Sequence, residues 1–141
     1  LCGVTAGIGG RSYMNYQKVP TKVNELCSQL QERLGTASTI RERYELSFNA
    51  HLNLVTIHPW VDGNGRISRL LMNYIQFLYN LFPTKIFKED RDGYILALRQ
   101  SQEEDDNSPF LVFMAGQLKK SLSLEIERFN TSCKRGFNFL F

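Results

Sequence analysis

The strongest constraint on how this chain folds lies at residues 58–65, His-Pro-Trp-Val-Asp-Gly-Asn-Gly, where regular structure is barred between two stretches that demand helix. Proline disfavours helical backbone in the residue before it, so His58-Pro59 predicts a helix end and an extended turn. Gly63 and Gly65 then permit backbone with positive φ. On the near side, Thr39 followed three residues later by Glu42 reads as a capping box. It opens a helix whose Ile40, Tyr44, Phe48, Leu52 and Val55 recur at fours and threes and which ends near Ile57. On the far side, Ile67, Leu70, Leu71, Tyr74, Ile75 and Leu78 predict a strongly apolar helix from Asn64 or Gly65 to about Asn80, with its flanks almost all facing the core.

The rest of the chain is punctuated in the same way. Pro20 suits a first helical turn, and Val23, Leu26, Cys27, Leu30 and Leu34 share a face before Gly35, predicting a helix over 20–34. Residues 91–102 read as another helix, and Ser108 as N-cap with Pro109 as first helical residue opens a last one to about Phe129. The first 19 residues carry Gly3, Gly7, Gly9 and Gly10 between short β-favouring stretches at 1–4 and 12–16, which predicts a hairpin or flap. The expected fold is all-α: one helical bundle over 20–130, with a small N-terminal β-hairpin flap at 1–19 and a tail at 131–141.

Composition narrows the function classes. With 141 residues, 43% hydrophobic and 22% charged, the chain suffices for one domain with its own core. Its net charge of +3 is scattered, without the dense basic stripe that nucleic-acid binding needs. No apolar run approaches the roughly 20 residues that cross a bilayer. Cys2, Cys27 and Cys133 are odd in number and far apart, so they give neither a disulfide framework nor zinc spacing, and a reducing, cytoplasmic setting is expected. A start at Leu1 rather than Met leads us to expect a piece of a longer chain.

Residues 58–69 place a base, a carboxylate, a flexible turn and two cations between two helices. Glycines at 63 and 65 let successive N–H groups point into one anion-binding nest, and the start of the next helix adds unpaired N–H groups and the positive end of its dipole. Arg66 and Arg69 lie on adjacent parts of the first turn, where cations sit badly with that dipole unless an anion compensates them. A polyphosphate would do so, through paired hydrogen bonds to guanidinium groups. Asp62 at the mouth of the nest would repel phosphate unless a hard cation such as Mg²⁺ stood between them. His58 is the best general base in the chain. His51 reads as a hydrogen-bonded structural histidine, the acidic run at 103–106 as a solvated helix end, and Tyr74, Phe77 and Tyr79 as core or groove lining.

The stretch resembles the signature of the Fic family, His-Pro-Phe-x-Asp/Glu-Gly-Asn-Gly-Arg-x-x-Arg, matching it except at Trp60. The similarity extends to the Gly-rich segment before Pro20, to Ala50-His51, to residues 91–98 with Tyr94, and to residues 106–110. The resemblance implies an all-α Fic core that moves AMP from Mg-ATP to a Ser, Thr or Tyr hydroxyl of a target protein and releases pyrophosphate. It would make His58 the base and Asp62 the Mg²⁺ ligand. Gly63, Asn64 and Gly65 would form the anion hole, Arg66 would steady the phosphates, and Arg69 would hold the γ-phosphate. Tyr94 would line the adenine pocket, the flap would pair with an extended target segment, and Trp60 would anchor the loop in the core as the family's Phe does.

Many similar proteins are restrained by a helix carrying Ser or Thr, three residues, then Glu. Ser121 and Glu125 have that spacing, but Ile126 follows where such motifs carry Gly or Asn, so the match reads as coincidence and the restraining segment is expected upstream or in a partner. The expected partners are therefore ATP, a target protein and that segment, with a homodimer left open and neither membrane nor nucleic acid engaged by this stretch. Two other readings stand beside this one. A same-fold transferase of another phosphate-containing group is disfavoured by Gly65, where kinase-like relatives carry Lys. A non-catalytic nucleotide-binding module would have no use for His58.

Overall fold

The computed structural model describes residues 15–137, with backbone only for 133–137. These residues form helices α1 (Val19–Thr36), α2 (Ile40–Ile57), α3 (Asn64–Leu78), α4 (Arg91–Glu104) and α5 (Ser108–Phe137), with 3₁₀ turns at Tyr16–Lys18 and Lys88–Asp90. No strand occurs among the described residues. The predicted flap falls chiefly on residues 1–14, outside them. Tyr16, from the second β-favouring stretch, lies in a 3₁₀ turn instead, because the Asn15 side chain accepts a hydrogen bond from the Gln17 N–H and closes it.

The element boundaries follow local chemistry. α2 opens with the predicted capping box: Thr39 Oγ1 accepts from the Glu42 N–H, and Glu42 Oε2 accepts from the N–H groups of Thr39 and Ser38. α5 departs from expectation at both ends. The Asn107 carbonyl accepts from the Leu111 N–H, while the Ser108 N–H and hydroxyl both donate to Asp106 Oδ1, so Ser108 sits inside the helix rather than capping it. The helix then continues to Phe137, through residues expected to form the tail.

α2 is the central post. Leu46, Ser47, Phe48, Ala50, His51, Leu52, Leu54 and Ile57 are all buried, which wraps its burial round the helix rather than along one face; Ile40, expected on the apolar face, is exposed. Phe48 and Leu52 pack with Met72, Ala97, Phe110 and Met114; Leu54 and Ile57 with Val19 and Leu26; Leu46 and Ala50 with Ile75. Each such large side chain contributes about 1.5–3 kcal/mol by leaving water, so α1, α3, α4 and α5 are all fastened to one element.

α3 is turned from the orientation its sequence suggests. Leu70 is 69% exposed and Phe77 61%, and Tyr74 and Leu78 are also exposed, whereas Asn64, Ser68, Met72, Ile75 and Gln76 are buried. The inward face is polar because it is hydrogen-bonded. Gln76 Nε2 donates to Ser47 Oγ at 2.9 Å, and Gln76 Oε1 accepts from the Thr84 N–H at 2.8 Å, tying α3 to α2 and to the segment before α4. Tyr79 is half-buried as expected, its hydroxyl donating to the Leu34 carbonyl. No helix among the described residues is long and apolar enough to cross a membrane.

Candidate active site

The site begins where α2 ends. His58 takes the left-handed conformation, φ 53° and ψ 57°, and its N–H closes the last turn on the Leu54 carbonyl at 3.1 Å. The extended turn expected before Pro59 is therefore replaced by a left-handed cap, a conformation in which His is enriched among non-glycine residues. The half-buried imidazole sets Nδ1 3.3 Å from the Val55 carbonyl. A carbonyl can only accept, so this contact favours the tautomer with its proton on Nδ1 and makes Nε2 the basic nitrogen.

The loop between α2 and α3 is held by an amide rather than by an aromatic ring. Asn64 is 3% exposed, and its side chain bonds both backbone groups of one residue: Oδ1 accepts from the Trp60 N–H at 3.0 Å and Nδ2 donates to the Trp60 carbonyl at 2.6 Å. Trp60 itself is 41% exposed, so the anchoring role expected of its ring falls to the Asn64 staple and to the buried Pro59. Ser68 donates to the Asn64 carbonyl at 2.8 Å and steadies the same turn.

Gly63 is the N-cap of α3, at φ 86°, and no side chain caps the helix. The first intrahelical bond, Ile67 N–H to the Gly63 carbonyl, leaves the N–H groups of Asn64, Gly65 and Arg66 without a carbonyl from their own helix. Asp62 turns back on the loop: Oδ1 accepts from the Gly63 N–H at 2.6 Å, and Oδ2 pairs with Arg66 Nη2 at 3.0 Å. Both partners of that pair are largely exposed, so it contributes little and yields readily to competing charge. Arg69 lies over Gly65, where an added Cβ would come within 3.4 Å of Nη1.

Behind Arg69 stands a buried polar pair. His51 Nε2 and the Tyr94 hydroxyl are 2.9 Å apart, with His51 stacked on Phe110 and Tyr94 packed against Phe110 and Phe113. Burial pushes the His51 imidazole down to about 4; a backbone contact to Ser68 pulls the other way, and the Arg69 charge adds to the depression. Burial raises the Tyr94 phenol, while the Arg69 charge opposes that rise.

The predicted residues thus separate into groups. Residues 62–69 come together in one turn with His58 directly upstream. Tyr94, expected beside an adenine, has its hydroxyl on His51 and its ring against Phe110 and Phe113. His51 is the structural, hydrogen-bonded histidine that the sequence suggested. Glu125 pairs with Arg128 at 3.5 Å, and buried Ser121 accepts from the Lys85 N–H at 3.4 Å, so on α5 these two serve the surface and the packing. The bond between His51 and Tyr94 joins α2 to α4 and carries no sequence signal.

Comparison with known proteins bears on what this arrangement does. Residues 4–76 match the model of the Fic/DOC family. Proteins named "Protein adenylyltransferase Fic" from Drosophila virilis and Drosophila melanogaster are each 45% identical over 75 residues, which is 53% of this chain and 15% of theirs. A Fic domain containing signaling protein from Bacteroides thetaiotaomicron superposes with a TM-score of 0.76 at 27% identity, covering 86% of this chain and 50% of that one. The chain therefore spans only a small part of the length of the curated relatives it matches.

Proposed function

The chain belongs to the Fic/DOC family, and from that premise we propose that it is a protein adenylyltransferase, moving AMP from Mg-ATP to a Ser, Thr or Tyr hydroxyl of a target protein. The observation that carries this reading is the start of α3: a helix with no side-chain cap, opened by a left-handed glycine and flanked by two arginines, with an imidazole immediately before it. Uncapped N–H groups and guanidinium forks are donors only, and a chain of phosphates supplies the acceptors they lack.

In the proposed reaction the target oxygen attacks the α-phosphorus of ATP in line, and His58 Nε2 takes the hydroxyl proton. The bond from that phosphorus to the bridging oxygen breaks, and pyrophosphate leaves with the electron pair. The N–H groups of Asn64, Gly65 and Arg66 receive phosphate oxygens, and Arg69 the far end of the tail. Proton removal by a positioned base contributes about 10²- to 10⁴-fold in rate; the remainder is positioning and charge neutralisation.

Mg²⁺ fits the residues present. The Asp62 carboxylate is 88% exposed, and no group of three or more His, Cys, Asp or Glu that could hold a metal occurs among the described residues. Mg²⁺ commonly takes one or two carboxylates and completes its shell with substrate phosphates and water. When bound it would neutralise phosphate charge, and Asp62 is the residue that would hold it. Asp62 would then leave Arg66, which is freed to turn to the phosphates. A target presented at the flap and a cytoplasmic setting belong to this proposal as well.

Incubation with a lysate and ATP labelled at either the α- or the γ-phosphate tests the reading. Label should reach protein from the α-position alone, with wild type and not with His58→Ala. Label arriving from the γ-position instead would replace this proposal with a kinase.

A further inference from the structure

α5 outlasts the bundle that it helps to build. Its last buried side chain among the described residues is Ser121, and every residue from Leu122 to Ser132 is exposed. The exposed half is not a polar stalk. Ile126 is 59% exposed and Phe129 68%, and with Leu122 they continue a stripe that Ala115 and Leu118 begin. Ala115 and Leu118 also line an open apolar groove of about 430 Å³ between α5 and α2, whose opposite wall carries Tyr44 and Phe48.

A groove and a protruding apolar helix thus sit on one element, and they cannot meet within one chain. Ala115 and Phe129 lie about 21 Å apart along a rigid helix that rises ~1.5 Å per residue, so the far half of α5 cannot turn back into its own groove. A second copy running antiparallel can supply it. The stripe is spaced for that: Ala115, Leu118, Leu122, Ile126 and Phe129 are separated by steps of three, four, four and three, which read the same from either end. Two such helices laid antiparallel about Leu122 set Leu118 against Ile126 and Ala115 against Phe129. A large exposed ring then meets a small residue in the groove, once on each side of the two-fold axis.

Charge follows the same register. α2 runs antiparallel to α5 along the groove: at one end the Asn107 side chain donates to Asn49, and towards the other Tyr44 bonds the Phe82 carbonyl while the Lys85 N–H reaches Ser121. Arg41 on the groove rim therefore lies towards Leu118, and Glu45 towards Leu111. Glu125 is two turns beyond Leu118, on the flank of the stripe that faces α2, and a two-fold axis puts like flanks together. The incoming helix brings Glu125 level with Lys119, opposite Arg41, and Arg128 level with Gly116, opposite Glu45. In each copy these residues pair locally, Arg41 with Glu45 and Glu125 with Arg128, at exposed positions where such pairs contribute little and exchange partners readily.

We propose that α5 is a self-docking element: the far half of one copy's α5, through Leu122, Ile126 and Phe129, seats in the α2–α5 groove of a second copy and receives that copy's helix in return. The interface contains none of residues 58–69 and does not rest on the transfer reaction.

Light scattering on the eluting chain, loaded at about 1 to 100 µM, tests it, with a dissociation constant expected on the order of micromolar. The mass should rise from that of the 16.3 kDa monomer to twice that value. Phe129→Asp, at a surface position that should leave the melting temperature unchanged, should weaken association about 100-fold or more, because a central anchor is lost on both sides of the axis. Arg41→Glu and Glu125→Arg should each weaken it about 5- to 20-fold, and their combination should return it to within about 3-fold of wild type. A chain that stays monomeric at the highest concentration or grows past the dimer mass, a dimer indifferent to Phe129→Asp, or charge reversals that add instead of cancelling would each overturn the inference.

Discussion

α2 and α3 start only about two dozen residues apart, and they end their first turns in opposite ways. At the start of α2 the chain supplies its own anion: Thr39 Oγ1 and the Glu42 carboxylate take up the exposed N–H groups of Ser38, Thr39 and Glu42, and these bonds lower Glu42 to about 2. At the start of α3 a glycine stands where a capping side chain would, the single nearby carboxylate is spent on Gly63 and Arg66, and two arginines crowd the positive end of the dipole. The first arrangement offsets the positive end of its own dipole with the Glu42 carboxylate. The second is locally unfavourable without a ligand, and such local unfavourability inside an otherwise consistent fold marks a functional turn.

The difference between the two starts can be broken or sharpened by substitution and by acid. The largest effect should come from His58, beside the open start: His58→Ala should cut transfer about 10²- to 10⁴-fold while leaving Mg-ATP affinity within a few-fold, read by labelling and calorimetry. Equal loss of binding would mean that His58 holds the nucleotide and not the proton.

Acid should come next. The folded His51 sits at about 4, below its ordinary 6.5, so above pH 6.5 both folded and unfolded forms are neutral there and the group makes no demand. As pH falls from 6.5 towards 4 the unfolded chain binds the proton first, and stability should drop by on the order of 3 kcal/mol, measured by denaturant titration. Glu42 acts in a separate window, its contribution being lost only as pH falls from about 4.5 to about 2, so α2's start should outlast the support behind α3's.

Gly63→Ala should cost about 1–2 kcal/mol, because φ 86° is left-handed while the nearest neighbour of an added Cβ, Arg66 Nη2, is a comfortable 3.8 Å away. The loss is backbone strain and should appear as a lower melting temperature. The smallest effect is expected at the closed start: Thr39→Ala should cost about 1 kcal/mol of stability and leave Mg-ATP affinity unchanged. A change in nucleotide affinity there would dissolve the contrast.

How much of this could be read from sequence depends on whether the deciding interactions are local. The capping box at Thr39 and Glu42 is a contact between near neighbours, and it appears as read. So does the helix boundary at Asn64, because glycine backbone freedom is a property of the residue itself. The orientation of α3 was not legible. Its apolar run suggested a core face, but Asn64, Ser68 and Gln76 find partners at Trp60, Asn64, Ser47 and Thr84, and satisfied polar groups displaced Leu70 and Phe77 outward. The Trp60 ring departs from expectation for the same reason, since its loop is held through its backbone. The pairing of His51 with Tyr94 is beyond reach, because it depends on how α2 and α4 pack.

The central claim is that the N–H groups at the start of α3 receive a nucleotide's phosphates while those at the start of α2 do not. Amide proton and nitrogen shifts of ¹⁵N-labelled protein titrated with Mg-ATP test it residue by residue. Saturable shifts at Asn64, Gly65 and Arg66, with Ser38, Thr39 and Glu42 unmoved, are the expected result. Saturation with those three α3 amides unmoved, or shifts confined to other parts of the molecule, would contradict the account.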